Sequence, residues 1–251
     1  MNRRLLRPAF RYLACPALAA VSLASPALAQ NVTLTFADTG ITERALQLVA
    51  LLTVLSLAPS ILLMTTSFTR IVVVLSLLRT AIGAGTAPPN AVMIALALFL
   101  SLFIMGPTLT QAYDAGIRPF LANEITADVA FERGSRPVHE FMMRNTREKD
   151  LRLFLELSRE PTPQTPQEVS LRVLAPSFMI SELRRAFEIG FLLFLPFMVI
   201  DLVVASVLTA LGMTLLPPAS ISLPFKLIFF VLVDGWNLIA GSLVQSFGTG
   251  T

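Results

Sequence analysis

Long apolar runs separated by short polar stretches form the main pattern of the chain. Four runs reach the roughly 20 residues that a helix needs to cross a bilayer; they are residues 45–64, 91–113, 186–211 and 221–244. Runs of this length predict helices rather than strands. We therefore expect an all-α protein built from membrane-associated helical hairpins.

Prolines and arginines subdivide the first half of this pattern. Pro59 is expected to break or kink the first apolar helix, and Pro107 is expected to end the second. Between them, a connecting helix is followed by a rigid turn at residues 83–89, which is rich in Gly and Pro. Arg70 and Arg79 make this the only distinctly positive short loop. The positive-inside tendency therefore predicts a cytoplasmic location for it.

Residues 113–185 differ sharply from the apolar runs, because they contain eleven basic and eleven acidic residues. Their apolar positions recur at helical spacing and predict two amphipathic helices; these positions are Val138, Phe141, Met142, Leu151, Phe154 and Leu155. Pro137 is expected at the start of the first helix, and the proline-rich residues 159–168 are expected to form an exposed linker. We predict an extracytoplasmic helical insert, although Arg184 and Arg185 run against the positive-inside tendency.

The N-terminus has the features of a secretory leader. Four arginines precede a short apolar run at residues 13–23, and the small residues Ala27 and Ala29 predict cleavage before Gln30. A retained signal anchor is the alternative. Residues 1–29 contain four arginines and no acids, so their removal changes the formal net charge from +3 to −1. The basic balance belongs to the leader, and no nucleic-acid partner is expected.

Four charged residues interrupt the C-terminal apolar runs; they are Glu188, Asp201, Lys226 and Asp234. Each costs about 2.5–3.5 kcal/mol at the centre of a span, whereas eighteen apolar residues return only about 5–11 kcal/mol. These charges should therefore face protein or water. Helical spacing gives two polar or small-residue faces; one joins Asp201, Ala205, Thr209 and Gly212, and the other joins Asp234, Gly241 and Gln245. Contacts between helices and an ion relay both fit these aspartates.

The linker between the last two runs contains Met213, Thr214, Leu215 and Leu216, followed by two prolines. Methionine is unbranched and can close around irregular shapes, but the same residues also suit a simple apolar turn. The sequence lacks the common catalytic motifs. The only cysteine is Cys15, within the leader, and the single His139 has no partner at metal-ligand spacing. An enzyme, a metal site and a cofactor are therefore not expected.

Several blocks of sequence resemble successive signatures of one family. They are SFTRIVVVLSLLRTAIG with APPN, ALALFLSLFIMGP, SFMISELRRAFEIGF, LPFMVIDLVVASVLTALGM and PPASISLPFKLIFFVLVDGW. They resemble the FliP family of flagellar biosynthetic proteins, which are components of the type III secretion export gate. The resemblance extends from about Leu57 to Phe247 and consists of long blocks in the family's order.

The resemblance implies a non-enzymatic subunit of a helical, multi-subunit pore in the inner membrane at the flagellar basal body. The implied partners are FliQ, FliR, further copies of the chain and an FlhB-type gate component, and the implied substrates are unfolded flagellar proteins. The helices would pack against neighbouring subunits, which would explain the tolerated charges. An injectisome export-gate subunit and an ion-coupled secondary transporter are the alternatives.

By position, the resemblance assigns the pore constriction to residues 213–216. Met213 matches the family's methionine-rich turn, whereas Thr214 and Leu215 occupy positions where methionine is common. It also implies that Glu182 and Lys226 pair between adjacent subunits. Together with the hydrophobicity pattern, it divides the chain into a leader (1–29), an arm with the first apolar hairpin (30–112), the insert (113–185) and a C-terminal hairpin (186–251).

Overall fold

The computed structural model describes residues 41–161 and 163–248. The predicted leader, its cleavage site and Cys15 lie outside this part of the chain. Within it, the regular elements are helices and no strand is present, which confirms the all-α prediction. The α-helices, in chain order, are α1 (Ile41–Met64), α2 (Phe68–Ile82), α3 (Asn90–Ala112), α4 (Arg118–Leu121), α5 (Ala127–Asn145), α6 (Glu148–Ser158), α7 (Leu171–Ala210), α8 (Pro218–Leu232) and α9 (Gly235–Gln245).

The chain divides into two units, residues 1–53 and 54–251. In the first unit the described residues are helical and belong to α1, where the Thr53 hydroxyl donates to the Val49 carbonyl at 2.7 Å. α1 continues through Pro59 to Met64, so the break expected at this proline does not occur. The packing described below belongs to the second unit.

Helix α2 forms the centre of the second unit. It packs against α3 and α7, and its inward face is almost fully buried; the most buried apolar residues on it are Ile71, Val74, Leu75 and Leu78. The helix ends at Gly83, which has a φ of 78° and donates its N–H to the carbonyls of Arg79 and Thr80. A glycine at this position is favoured because it adopts the left-handed conformation without a side-chain clash.

Two helical segments in the described part of the chain are long and apolar enough to span a membrane. They are Asn90–Leu121, in which a π-helical turn (Tyr113–Ile117) joins α3 to α4, and α7. Helices α8 and α9 make a third span only if they count as one element, because they meet at a 64° bend. α7 has 40 residues, so it is about 60 Å long, roughly twice the hydrocarbon thickness of about 30 Å.

Two expected helix boundaries are wrong. α3 continues beyond Pro107 to Ala112, and α5 begins at Ala127, ten residues before Pro137. Each proline removes one helical hydrogen bond, but tertiary packing outweighs this loss. Met105 and Thr108 are buried on either side of Pro107. The buried Phe141 and Met142 likewise hold α5 on the core after its proline.

The insert packs directly on the apolar helices. α6 lies along α7, while α5 contacts both α3 and the π-helical turn. At the crossing with the turn the two backbones touch: a Cβ on Gly116 would lie 2.5 Å from the Ala130 carbonyl oxygen and 2.8 Å from the Gly134 Cα. The linker prediction agrees with the exposure of residues 164–168, which include a 3-10 turn (Pro166–Glu168).

Candidate functional site

A buried ion pair between Arg70 on α2 and Glu182 on α7 lies at the centre of the unit. Arg70 Nε donates to Glu182 Oε2 at 2.8 Å, and Arg70 Nη2 donates to Glu182 Oε1. Both side chains have no exposed surface. Arg70 therefore lies inside α2, which agrees with the connecting helix predicted here, and its side chain is buried instead of facing the cytoplasm. Such a bidentate pair is directional and fixes the rotation of α2 against α7.

The end of the described chain completes the surroundings of Arg70. Its Nη1 donates to the backbone oxygen of Ser246 at 2.8 Å and to the Ser246 hydroxyl at 2.9 Å. Its guanidinium carbon lies 3.5 Å from the centroid of the Phe247 ring. Burial lowers the pKa of the Arg70 guanidinium, while the Glu182 carboxylate opposes that shift. The group nevertheless remains a cation, since arginine titrates far above neutral pH.

A second polar cluster joins α7 to α8. Lys226 Nζ donates to Asp201 Oδ2 at 2.7 Å and to the Ala81 carbonyl at 3.1 Å. The Ser222 hydroxyl donates to Asp201 Oδ1 at 2.6 Å. Because Ala81 lies in the last turn of α2, where carbonyls lack helical donors, Lys226 also satisfies the end of that helix. The structure therefore brings Asp201 and Lys226 together within one chain, and gives Glu182 a different partner.

Glu188 belongs to a third polar group, where the insert meets α7. The Asp150 carboxylate accepts a hydrogen bond from Ser181 Oγ at 2.7 Å and lies 3.3 Å from Arg147 Nε. Arg147 Nη1 also lies 3.8 Å from Glu188, which accepts a 2.9 Å hydrogen bond from Arg184. The Glu188 side chain is 58% exposed, so it stays accessible to other molecules.

Asp234 lies at the bend between α8 and α9, and not inside a continuous helix as the sequence predicts. Its φ is 50°, a conformation in which aspartate is one of the better tolerated residues. Its carboxylate accepts a 3.1 Å hydrogen bond from Asn237. The next residue is Gly235, where a Cβ would lie 2.2 Å from the Phe230 ring. The predicted common face of Asp234, Gly241 and Gln245 is therefore interrupted at its first residue.

The α7–α8 turn is exposed along its whole length. Residues 211–217 all face solvent, and Leu215 is 97% exposed. Gly212 has a φ of 74° and ends α7, so it leaves the helical face predicted with Asp201. The turn begins ten residues after Asp201, which places it about 15 Å further along the helix axis. Met213, Leu215 and Leu216 therefore form an apolar tip beyond the polar cluster at Lys226.

The structure adds residues that sequence reasoning did not identify as a site. Arg70 and Ser246 lie 176 positions apart and meet only in the folded chain. In the sequence, the only indication of this site is that Arg70 lies inside an apolar run. His139 Nε2 forms a 2.8 Å hydrogen bond with the Val169 carbonyl oxygen, so the histidine has a structural contact. Among the described residues no cluster of three or more His, Cys, Asp or Glu side chains is arranged to hold a metal ion.

Known proteins are similar to this chain over most of its length. The sequence profile of the FliP family matches residues 51–243. The chain is 60% identical over 238 residues to the flagellar biosynthetic protein FliP of Caulobacter vibrioides, which covers 95% of this chain and 88% of that protein. It is 58% identical over 203 residues to the protein of the same name from Pectobacterium carotovorum, and this match covers 81% of this chain and 79% of that protein. It is 50% identical over 201 residues to that of Bacillus subtilis, and this match covers 80% of this chain and 91% of that protein. The chain therefore belongs to the FliP family.

Proposed function

We propose that this chain is a core subunit of the flagellar type III export gate. Together with FliQ, FliR and further copies of itself, it forms a gated pore for unfolded flagellar proteins, next to an FlhB-type gate component. The relatives carry the name of flagellar biosynthetic proteins, which favours flagellar export over the injectisome alternative.

The exposed apolar surface of α7 is the observation that carries this proposal. Only 11% of the most apolar 18-residue window of α7 is buried within the chain. The exposed side chains continue onto α8; they include Phe191, Leu195, Leu202, Val203, Val207, Phe225 and Ile228. The exposed stretch of α7 from Phe191 to Val207 is about 24 Å long and lies outside the half of α7 that the insert covers, so lipid or other protein has to cover it. Neighbouring subunits of a helical assembly would supply the remaining apolar contacts.

The turn of Met213, Thr214, Leu215 and Leu216 is the proposed constriction of the closed pore. Its apolar side chains project from the end of the hairpin and remain exposed within a single chain. Several copies of such a turn, brought together at an axis, would form an apolar ring that excludes water. Thr214 makes this ring less uniformly apolar than a ring of methionines.

The polar residues of the hairpin are the proposed contacts between helices and between subunits. Asp201 is 42% exposed beside Lys226, and Glu188 and Asp234 are also accessible. These three carboxylates can meet a neighbour without breaking the fold. Pairing of Glu182 with Lys226 of an adjacent subunit would require both groups to leave their partners within the chain, so we assign it to the assembled gate only.

The proposed location is the bacterial inner membrane at the flagellar basal body, with the 113–185 insert on the periplasmic side. The packing of α6 on the first half of α7 supports this location. A helix half covered by a charged, amphipathic insert belongs outside the hydrocarbon. Arg184 and Arg185 lie in this half of α7 and would then face water or protein.

An ion-coupled transporter is the weaker candidate. It would need linked titratable groups along the helices. Within the described residues Asp201 is bound to Lys226 and Ser222, whereas Asp234 lies at the exposed bend beside Asn237. These contacts suit structural aspartates better than a relay.

Co-expression with FliQ and FliR tests the proposed function. We expect a purified complex with several copies of this chain around an axis, closed at residues 213–216. A cysteine at Leu215 should form disulfides between copies, whereas a cysteine at the exposed Thr165 of the linker serves as the accessible control. A complex without an axial pore, or Leu215 cysteines that never cross-link between copies, would contradict the proposal.

A further inference from the structure

The last described residues of the chain are bound into its core. Ser246 and Phe247 follow α9 directly, and Phe247 is 8% exposed. They supply two of the four hydrogen bonds of Arg70 and cover the guanidinium face. The Phe247 ring also stacks on Phe141 of α5, with ring centroids 6.0 Å apart. The end of α9 therefore contacts α2 and the insert at once.

These contacts have a strong energetic reason to persist. Glu182 satisfies Nε and Nη2 of Arg70, but Nη1 depends on Ser246. Without Ser246, a charged donor would be left buried and unpaired, which costs more than an ordinary hydrogen bond contributes. Among the described residues no buried side-chain nitrogen or oxygen lacks a partner, so this site is closed only while the chain end is docked.

The other end of α9 is a bend at Asp234 and Gly235, and between this bend and Ser246 the buried Ile239 and Leu243 also pack on the core. The bend is made by Asp234 in the left-handed conformation and by Gly235, over which Phe230 packs. Trp236 meets the same ring edge to face at 5.3 Å. The sequence from 221 to 244 reads as one apolar run, so a continuous helix over 218–245 is the natural competitor of the bent form.

We propose that Ser246 and Phe247 act as a latch on Arg70 that holds α9 folded back against the core, so that the bend at Asp234 is imposed from its far end. Arg70 is then a positioning residue for the terminal helix. When the latch opens, α8 and α9 join into one apolar helix of 28 residues, about 42 Å long. The bent and straight forms present different surfaces to the membrane and to neighbouring subunits.

The distance between spin labels on α8 and α9 measures the bend. Ser220 and Ser242 are both exposed serines, so each can be replaced by a labelled cysteine in a full chain that carries Cys15→Ser. A straight helix separates these positions by about 33 Å, whereas the 64° bend reduces the distance to about 28 Å. Pulsed electron paramagnetic resonance in detergent or nanodiscs resolves a shift of this size.

Two matched pairs of variants isolate the latch. A chain that ends at Gln245 lacks Ser246 and Phe247, while a chain that ends at Gly248 retains them and is its control. Arg70→Met with Glu182→Gln removes the latch from the other side without leaving a buried charge unpaired. Arg79→Met is its control on the same helix, because Arg79 donates to the Pro88 carbonyl and to Asn90 and not to Ser246 or Phe247.

The expected result is a shift of about 5 Å toward the longer distance, or a broadening that includes it, in the Gln245 chain and the double variant only. An unchanged distance of about 28 Å in the Gln245 chain would overturn the proposal, because the bend would then be held by residues 234–243 alone. If the Gln245 chain does not accumulate, Phe247→Ala decides. It keeps the full length, and a distance distribution as narrow as in the parent would overturn the latch.

Discussion

The Lys226 ammonium group lies 2.7 Å from the Asp201 carboxylate and 3.1 Å from the Ala81 carbonyl, so a single side chain joins α8, α7 and the end of α2. The Lys226 side chain is 8% exposed, whereas that of Asp201 is 42% exposed. The ion pair matters more for the lysine, because its charged group is almost completely removed from solvent and requires a counter-charge. The aspartate keeps part of its hydration and remains available to other molecules.

Replacing Asp201 by Asn should destabilise the hairpin of α7 and α8. The amide retains a hydrogen-bond acceptor but removes the counter-charge of the buried Lys226, at an expected cost of about 1–3 kcal/mol. Thermal unfolding of the purified chain in detergent measures the effect. Asp114→Asn is the matched control, since Asp114 forms an exposed pair with Arg118 and should change stability by less than about 1 kcal/mol.

The same Asp201 variant separates the two candidate functions. As a subunit contact, it should reduce assembly or motility without changing ion flux. A proton current in proteoliposomes of the parent protein that Asp201→Asn abolishes would instead favour the transporter.

Charge reversal should identify the partner of Glu182. Glu182→Arg or Arg70→Glu alone leaves like charges in a fully buried site and should cost at least about 3–5 kcal/mol. Combining the two should restore part of the protein level in membranes, because the pair is rebuilt with its order exchanged. The protein level and trypsin resistance of the uncomplexed chain measure this rescue.

Reversal with Lys226 tests the pairing proposed for the assembled gate. Glu182→Lys with Lys226→Glu should leave the single chain less stable than either substitution alone, since Glu182 contacts Arg70 there and the two effects add. Rescue of gate assembly by this double variant would support the pairing between subunits. If neither double variant improves on its single variants, both pairings are refuted.

The crossing of the π-helical turn and α5 should distinguish two neighbouring glycines. Gly116→Ala places a methyl group 2.5 Å from the Ala130 carbonyl oxygen, so the backbones must separate, and overpacking of this kind typically costs about 1–3 kcal/mol. Gly134→Ala is its control, because the nearest atom would lie at 3.5 Å, an ordinary contact. Equal melting temperatures for both variants would contradict the close backbone contact between the π-helical turn and α5.

Removing residues 213–216 should open the proposed constriction without unfolding the chain. Their side chains are exposed, so the core loses few contacts. With the partners present, the complex should still assemble while cells become permeable to small solutes. Removal of four residues from the exposed linker, 164–167, is the matched control. Normal permeability of cells that contain an assembled complex with the shortened turn would refute the constriction.

The long helices could be predicted from the sequence because apolar run length depends on local information. Residues 186–210 of α7 follow from composition and the end of α2 follows from Gly83, whereas the sequence assigns the first part of α7, residues 171–185, to the insert. The helix boundaries predicted at Pro107 and Pro137 are wrong, because tertiary packing of the buried residues around each proline keeps the helix intact. The expectation that proline ends a helix considers only the local loss of one hydrogen bond. It does not include the packing energy from residues that are distant along the chain.

The polar site was only partly predictable for the same reason. Asp201 and Lys226 are conspicuous as charges in apolar runs, and both lie in the cluster that joins the hairpin. Arg70 carries an equally clear signal, but on sequence alone its charge is interpreted as a marker of membrane orientation and not as part of a buried site. Its partners Glu182 and Ser246 lie 112 and 176 positions further along, and no local pattern connects residues over such distances.

The separation of Arg70 from Ser246 also has a consequence for biosynthesis. The chain must be extended by 176 residues after Arg70 before its last partner exists. At about 5–20 residues per second, translation takes roughly 9–35 s over this interval. Until then the Nη1 group of Arg70 has to be hydrated or bound by another group, although Glu182 is already present to pair with Nε and Nη2. The Arg70 site therefore cannot be complete before Ser246 has been synthesised.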